Sequence, residues 1–329
     1  MATRSRVTKL HNQVMDRWES YRTRRLPVDA QGIGSAQLTA AGFPANSSSY
    51  TAYIRLRALR ELMRLEMPQR YEDVTSNTST YPNAPAITPA VLVTTPTLSL
   101  AYLRRYNTAH QRRSTGSILT ASDPPSPQFQ GAECLYMIVT MGLEDNSLGT
   151  DKLSLNDIGD VDDDGMPEFI DAWGNPISFL RWAPGFDSDL QPDAVPATLV
   201  VDRDPASRPD PFDTTRIDRH PEEGFVDSNG DGSHTTGELF FDFNGNGSRD
   251  TNLLPRGFQL FPLIYSAGPD EAQDIWATNA GMTAAELSDP YHLPAAPAVP
   301  AGTPMTPTSS QPGEGRHTDN IHNHLLTSG

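Results

Sequence analysis

Three short stretches after residue 150 of this chain set aspartates beside glycines. The sharpest runs Asp227-Ser228-Asn229-Gly230-Asp231-Gly232-Ser233-His234-Thr235-Thr236-Gly237-Glu238. It fits the twelve-residue calcium loop D-x-[DN]-x-[DN]-G-x5-E at every fixed position. Calcium takes about six to eight oxygens at roughly 2.3–2.6 Å, and this spacing supplies them. Asp227, Asn229 and Asp231 can turn short oxygen side chains inward, and Gly232 permits the sharp turn. The Ser233 carbonyl serves the seventh position and Glu238 closes with both oxygens. The flanks, Phe225-Val226 and Leu239-Phe240-Phe241, do not read as long helices, and His234 stands where an apolar residue is usual. The expectation is an EF-like loop on a β or irregular frame. The alternative is a Gly/Asp-rich turn that binds nothing.

A second copy follows at a constant offset of fifteen residues, Phe240-Phe241-Asp242-Phe243-Asn244-Gly245-Asn246-Gly247-Ser248. Its ligand set is Asp242, Asn244, Asn246 and, in place of the closing Glu, Asp250. Fewer charged ligands imply weaker binding. A third stretch, Asp160-Val161-Asp162-Asp163-Asp164-Gly165-Met166-Pro167-Glu168, places Asp160, Asp162 and Asp164 at positions one, three and five. Met166 takes the seventh position and Asp171 the twelfth. Four carboxylates within five residues repel one another unless a cation sits among them. The other reading is a solvated acidic turn.

The charge is divided along the chain. Residues 1–113 carry 16 Lys+Arg against 7 Asp+Glu, a net +9, and the remainder carries 9 against 34, a net −25. The basic third can face an anionic partner, pair with the acidic remainder, or form ordinary helix surface. The acidic remainder disfavours a phosphate-neutralising mode of binding, so nucleic acid is not an expected partner. Divalent cations are its natural counter-charge. Cys134 is the only cysteine, which excludes an internal disulfide and a cysteine zinc cluster. Its apolar neighbours, Leu135 to Val139, point to a buried, inert thiol.

Helical periodicity belongs to the first half. Val7, Leu10, Val14, Trp18 and Tyr21 form one apolar stripe over 4–25, ended by Pro27. Further helices are expected at 51–66, 98–113 and 131–142. After residue 150 the pattern fades, leaving strand candidates at Ile177–Trp182 and Gly257–Tyr265. Pro262 would put the second at a sheet edge. Helices first and small strands later predict α+β. No stretch is long and apolar enough to span a bilayer. No G-x-S-x-G, H-E-x-x-H or P-loop pattern is present, and the eight histidines are scattered. The expectation is a protein that is not an enzyme.

Three segments, in order, carry a family resemblance. They are Asp171-Ala172-Trp173-Gly174-Asn175-Pro176 with Ala183-Pro184-Gly185, then Tyr265-Ser266-Ala267-Gly268-Pro269-Asp270, then Thr318-Asp319-Asn320-Ile321. Together with the helix at 4–25 they resemble the major pseudopilin of type II secretion systems and, more broadly, type IV pilin-like proteins. The mixture of stem, Asp-rich loop and D-A-W-G-N-P is similar to prepilin-type proteins of planctomycete bacteria. The departures are Ala172 for the family's Pro, Glu271 after Asp270 where the family has Gly, and about seventy extra residues at 187–257. The alternative for Trp173 is simple core packing.

The resemblance implies a pilin-like α+β fold, an N-terminal stem helix and helical middle region packed on a small antiparallel sheet with calcium-ordered loops. The corresponding parts are a stem (1–26), a helical middle (27–150), a β/loop region (151–295, insertion at about 187–257) and a Pro/Thr-rich C-terminal segment (296–329). It implies a subunit of a pilus-like or pseudopilus filament on the periplasmic or cell-surface side of a bacterial membrane. Anchoring would come from an N-terminal helix absent from this sequence. Partners would be other pilin-like subunits and secreted cargo. Carried over by motif position, Ser266, Asp270 and Asp319 would hold a further calcium ion. The rival reading is a secreted calcium-binding adhesion or docking module.

Overall fold

The computed structural model describes residues 2–26, 48–76, 95–116, 126–141, 154–186, 208–216, 229–238, 257–277, 288–292, 299–305 and 320–325, with a few single positions between them. Among the described residues, five α-helices and two small antiparallel sheets give an α+β arrangement. Helix α1 spans Ala2–Ser20. Its stripe of Val7, Leu10, Val14 and Trp18 is 0–1% exposed, and Tyr21 just past its end is equally buried. An amphipathic helix gains most of its stability by covering such a face. Helix α2 covers Ser48–Glu66, the short α3 Tyr71–Thr75, α4 Thr97–Gly116 and α5 Gln130–Met141.

A hairpin joins β1 (Ile158–Gly159) to β2 (Glu168–Phe169), with Gly159 opposite Glu168. A second sheet has the order β3-β4-β5, from Ile177–Leu180, Leu263–Ser266 and Ile321–His322. Ile177 pairs with Ser266, Leu180 with Leu263, and Ser266 in turn with Ile321. Helix α1 packs on β4 and β5, and α5 packs on β2 and β3. One core cluster joins α1, α2, α5 and the sheet, including Leu10, Trp18, Leu62, Leu135, Phe179 and Ile264. A smaller one covers the other side of the sheet with Leu180, Ala183, Phe186, Leu263, Tyr265 and Ile275. Both faces of β3 and β4 are therefore buried, which explains their continuous apolar runs. Gly131 lets α5 approach β3 closely, since a Cβ there would lie 3.2 Å from the Phe179 carbonyl oxygen.

Two expectations change. The strand around 257–265 is the centre of its sheet, not an edge. Pro262 lies one residue before β4, so its missing N–H costs the ladder nothing, and its carbonyl accepts from Asn323 Nδ2 at 2.9 Å. Trp173 is 51% exposed instead of filling a core. The basic first third divides: Arg4, Arg22, Arg55 and Arg104 are exposed, while others pair with acidic residues. Arg6 pairs with Asp157 at 2.6 Å and Arg60 with Asp210 at 3.2 Å, both in the acidic remainder. Arg64, fully buried, meets both oxygens of Glu61 at 2.8 and 2.9 Å. Cys134 is buried, and burial pushes its thiol well above the ordinary range.

Candidate metal centre in the 160–168 loop

The β1–β2 connection is wound by its own carboxylates. Asp160 accepts from the backbone N–H of Asp164 through Oδ1 at 2.9 Å and of Gly165 through Oδ2 at 3.0 Å. Asp163 (φ 54°) and Gly165 (φ 87°) take left-handed conformations that make the reversal possible. Asp164 accepts from Met166 N–H at 2.8 Å and from Ser126 N–H at 2.7 Å, tying the loop to the segment before α5. Glu168 accepts from Val161 N–H at 3.1 Å, across the mouth of the hairpin. Helix α1 holds the hairpin from outside, through the Arg6–Asp157 pair and a 3.0 Å bond from Arg6 to the Ile170 carbonyl.

The loop's acidic face is met by Glu133 in the first turn of α5. One oxygen from each of Glu133, Asp162 and Asp164 lies within 4.8 Å of the others, and so does one from each of Asp160, Asp162 and Glu168. Glu133 and Glu168 are 0% exposed. Glu133 Oε2 accepts from the Tyr71 hydroxyl. Its Oε1, the Oε1 of Glu168 and both oxygens of Asp162 are buried without a hydrogen-bond partner among the described residues. Burying acceptors this way is costly unless something satisfies them. The electrostatics agree. Burial, and then the Asp164, Glu168, Asp162 and Asp160 charges, push the Glu133 carboxyl up to about 10. Burial and the neighbouring aspartates push Glu168 up to about 8, against the pull of Val161 N–H. Burial likewise raises Asp164, opposed by its two backbone N–H donors. Such a cage either retains protons or takes a hard cation.

The structure draws Asp160, Asp162 and Asp164 together. Met166 donates its N–H to Asp164 while its side chain enters the core, 1% exposed. Asp171 is directed elsewhere. Its Oδ1 accepts from Trp173 and Asn175 N–H at 2.8 and 2.9 Å, and its Oδ2 from Ser266 Oγ at 2.6 Å. The reason is the register: β2 turns back against β1 at Glu168, position nine of the loop, so the chain has left the cage before position twelve. Glu168 and Glu133 were not among the residues expected from the motif. The available signal was that Glu133 is the one charged residue in an otherwise apolar helix.

The 229–238 loop is exposed and satisfied by its own backbone. Asp231 accepts from Ser233 N–H at 2.7 Å and from Asn229 Nδ2 at 3.0 Å, and Glu238 from Thr235 N–H at 2.8 Å. His234 packs edge-on between Phe225 and Phe240, whose backbones form a bridge. Asp227, and the whole second-copy set of Asp242, Asn244, Asn246 and Asp250, lie outside the described residues, as does Asp319. Ser266 is buried and committed to Asp171, while Asp270 is exposed and accepts from Ala272 N–H at 2.9 Å.

No family model, curated protein or solved structure matches this chain. No helix among the described residues is long and apolar enough to cross a membrane.

Proposed function

We propose that this chain is the head of a pilus-like or type II secretion pseudopilus subunit, a structural protein whose acidic loops are ordered by calcium. The observation that carries this reading is the convergence of the three resembling segments on one sheet. Asp171–Pro176 leads into β3, Tyr265–Asp270 leaves β4, and Asn320-Ile321 opens β5. They are bonded to one another as well as adjacent, through Ser266 to Asp171 at 2.6 Å and Asn175 Nδ2 to the Gly268 carbonyl at 2.9 Å. Beneath them lies α1, with one face buried on β4 and β5 and Ser5, Asn12, Asp16 and Glu19 exposed on the other. A stem helix in a filament needs this division, one face for its own head and one for neighbours. Acidic loops with little apolar content cannot order themselves by burial, and a bound cation would supply the missing free energy. In this reading the head stands on the periplasmic or cell-surface side.

The test is cross-linking in bacterial cells that make the full-length gene product. Ser5→Cys combined with Asp16→Cys places thiols on the exposed stripe, while native Cys134 stays buried. The expected result is an oxidant-dependent ladder of covalent multimers in the envelope fraction. A monomer that never forms a ladder rules out the filament reading.

A further inference from the structure

We propose that Glu133 of α5 completes a calcium site with Asp162, Asp164 and Glu168, so that one cation staples the helical region to the β1–β2 hairpin. The inference deepens the calcium part of the proposed function and does not depend on the filament part. Its first support is geometric. Glu133 brings a carboxylate oxygen within 4.8 Å of Asp162 and Asp164, twenty-nine and thirty-one positions on, and Asp162 also lies within 4.8 Å of Glu168 in the second grouping. The second support is independent of the clustering. Glu133 and Glu168 are fully buried, and each presents an oxygen that no donor satisfies among the described residues, as does Asp162 with both of its own.

In Glu133 and Glu168 the second oxygen is engaged, which leaves Oε1 of each for a cation. Tyr71 holds Glu133 Oε2 and Val161 N–H holds Glu168 Oε2. The Asp160 carboxylate turns the backbone and leaves Asp162 at the centre. The donor set is all carboxylate oxygen, which suits a hard cation and disfavours zinc or copper. Calcium suits it better than magnesium, because a loop clamped to a helix offers an irregular, oxygen-rich shell and not an octahedron that keeps its waters.

The experiment titrates calcium chloride into chelator-stripped protein by calorimetry, with melting temperature and tyrosine-sensitised terbium emission as parallel readouts. Wild type should bind calcium, melt higher with it, and sensitise terbium through Tyr71, whose hydroxyl touches Glu133. Glu133→Gln keeps the shape and an acceptor for Tyr71. It should weaken binding at least about tenfold, the scale on which metal sites respond to a lost partner. Glu168→Gln should do the same, whereas Glu19→Gln on the exposed face of α1 should leave binding unchanged. If Glu133→Gln binds as wild type does, the inference fails while calcium ordering of other loops survives. Should that variant not fold, wild-type calcium binding without tyrosine-sensitised terbium emission overturns the inference equally. A wild-type protein that takes up no calcium ends both the inference and the calcium part of the proposed function.

Discussion

Ser266 donates its hydroxyl to Asp171 at 2.6 Å, joining two residues ninety-five positions apart, one in the turn before β3 and the other at the end of β4. Both are buried. The same Asp171 carboxylate holds the turn at Trp173–Asn175 through two backbone N–H groups, so one side chain fixes a turn and docks it to the sheet. Ser266→Ala removes one donor and leaves Asp171 Oδ2 buried and unpaired. The expected loss is about 1–3 kcal/mol in denaturant unfolding. Asp171→Ala, which frees three donors, should cost more. Neither change should alter calcium titration if Asp171 acts only in this turn.

The cation-free cage should make stability fall as pH rises. Glu133 is pushed up to about 10 and Glu168 up to about 8, from an ordinary 4.5. Between those values the folded protein keeps protons that the unfolded chain has released, so the folded state is progressively disfavoured. The favourable contribution is complete below 4.5 and lost on passing through about 8 and then about 10. Melting temperature in chelator should therefore decline with pH over that window. With calcium, which needs the ionised carboxylates, the decline should flatten or reverse. A melting temperature in chelator that rises steadily from pH 5 to 9 would contradict the cage.

Acid should loosen α1 from the 3-10 turn that follows β5, Asn323–Leu325. Asn323 Nδ2 donates to His11 Nδ1 at 2.9 Å, an arrangement that needs a neutral acceptor nitrogen, and burial holds the His11 pKa below the usual 6.5. The folded state thus binds fewer protons than the unfolded chain, and stability present above 6.5 is lost as pH falls through the lower folded value. His11→Asn keeps an acceptor that does not titrate. Its unfolding midpoint should depend less on pH between 5 and 7 than that of the wild type, in calcium-saturated buffer.

The Arg64–Glu61 pair should be costly to break from one side. Both side chains are 0% exposed, and Arg64 also donates to the Ser76 carbonyl at 2.7 Å, linking α2 to the end of α3. Arg64→Met leaves Glu61 with Ser288 as its remaining hydroxyl donor. The expected destabilisation is about 3–5 kcal/mol, the usual penalty for an uncompensated buried charge. A loss below about 1 kcal/mol in equilibrium unfolding would mean that the pair is hydrated in solution.

Local pattern made much of the frame legible. The stripe from Val7 to Tyr21 specifies its buried face because steps of three and four residues permit only one. The apolar run at Ile177–Leu180 becomes a strand buried on both sides, and the Asp160–Asp164 spacing turns as short oxygen side chains bonded to their own backbone must. Those features depend on neighbours within a few positions, which a sequence displays directly.

Tertiary contacts decided the rest. Twelve-residue loop arithmetic assigns Asp171 as the closing ligand, yet pairing of β1 with β2 ends the cage at Glu168 and frees Asp171 for Ser266. Nothing near Asp162 in sequence points to Glu133, because α5 reaches the loop only after Gly131 lets it approach β3. Likewise Arg60 and Asp210 meet across 150 positions. Charge sign and spacing are written along the chain, but which opposite or like charges share a small buried volume depends on how helices pack on strands. That packing alone brought Glu133 to the carboxylates of the 160–168 loop.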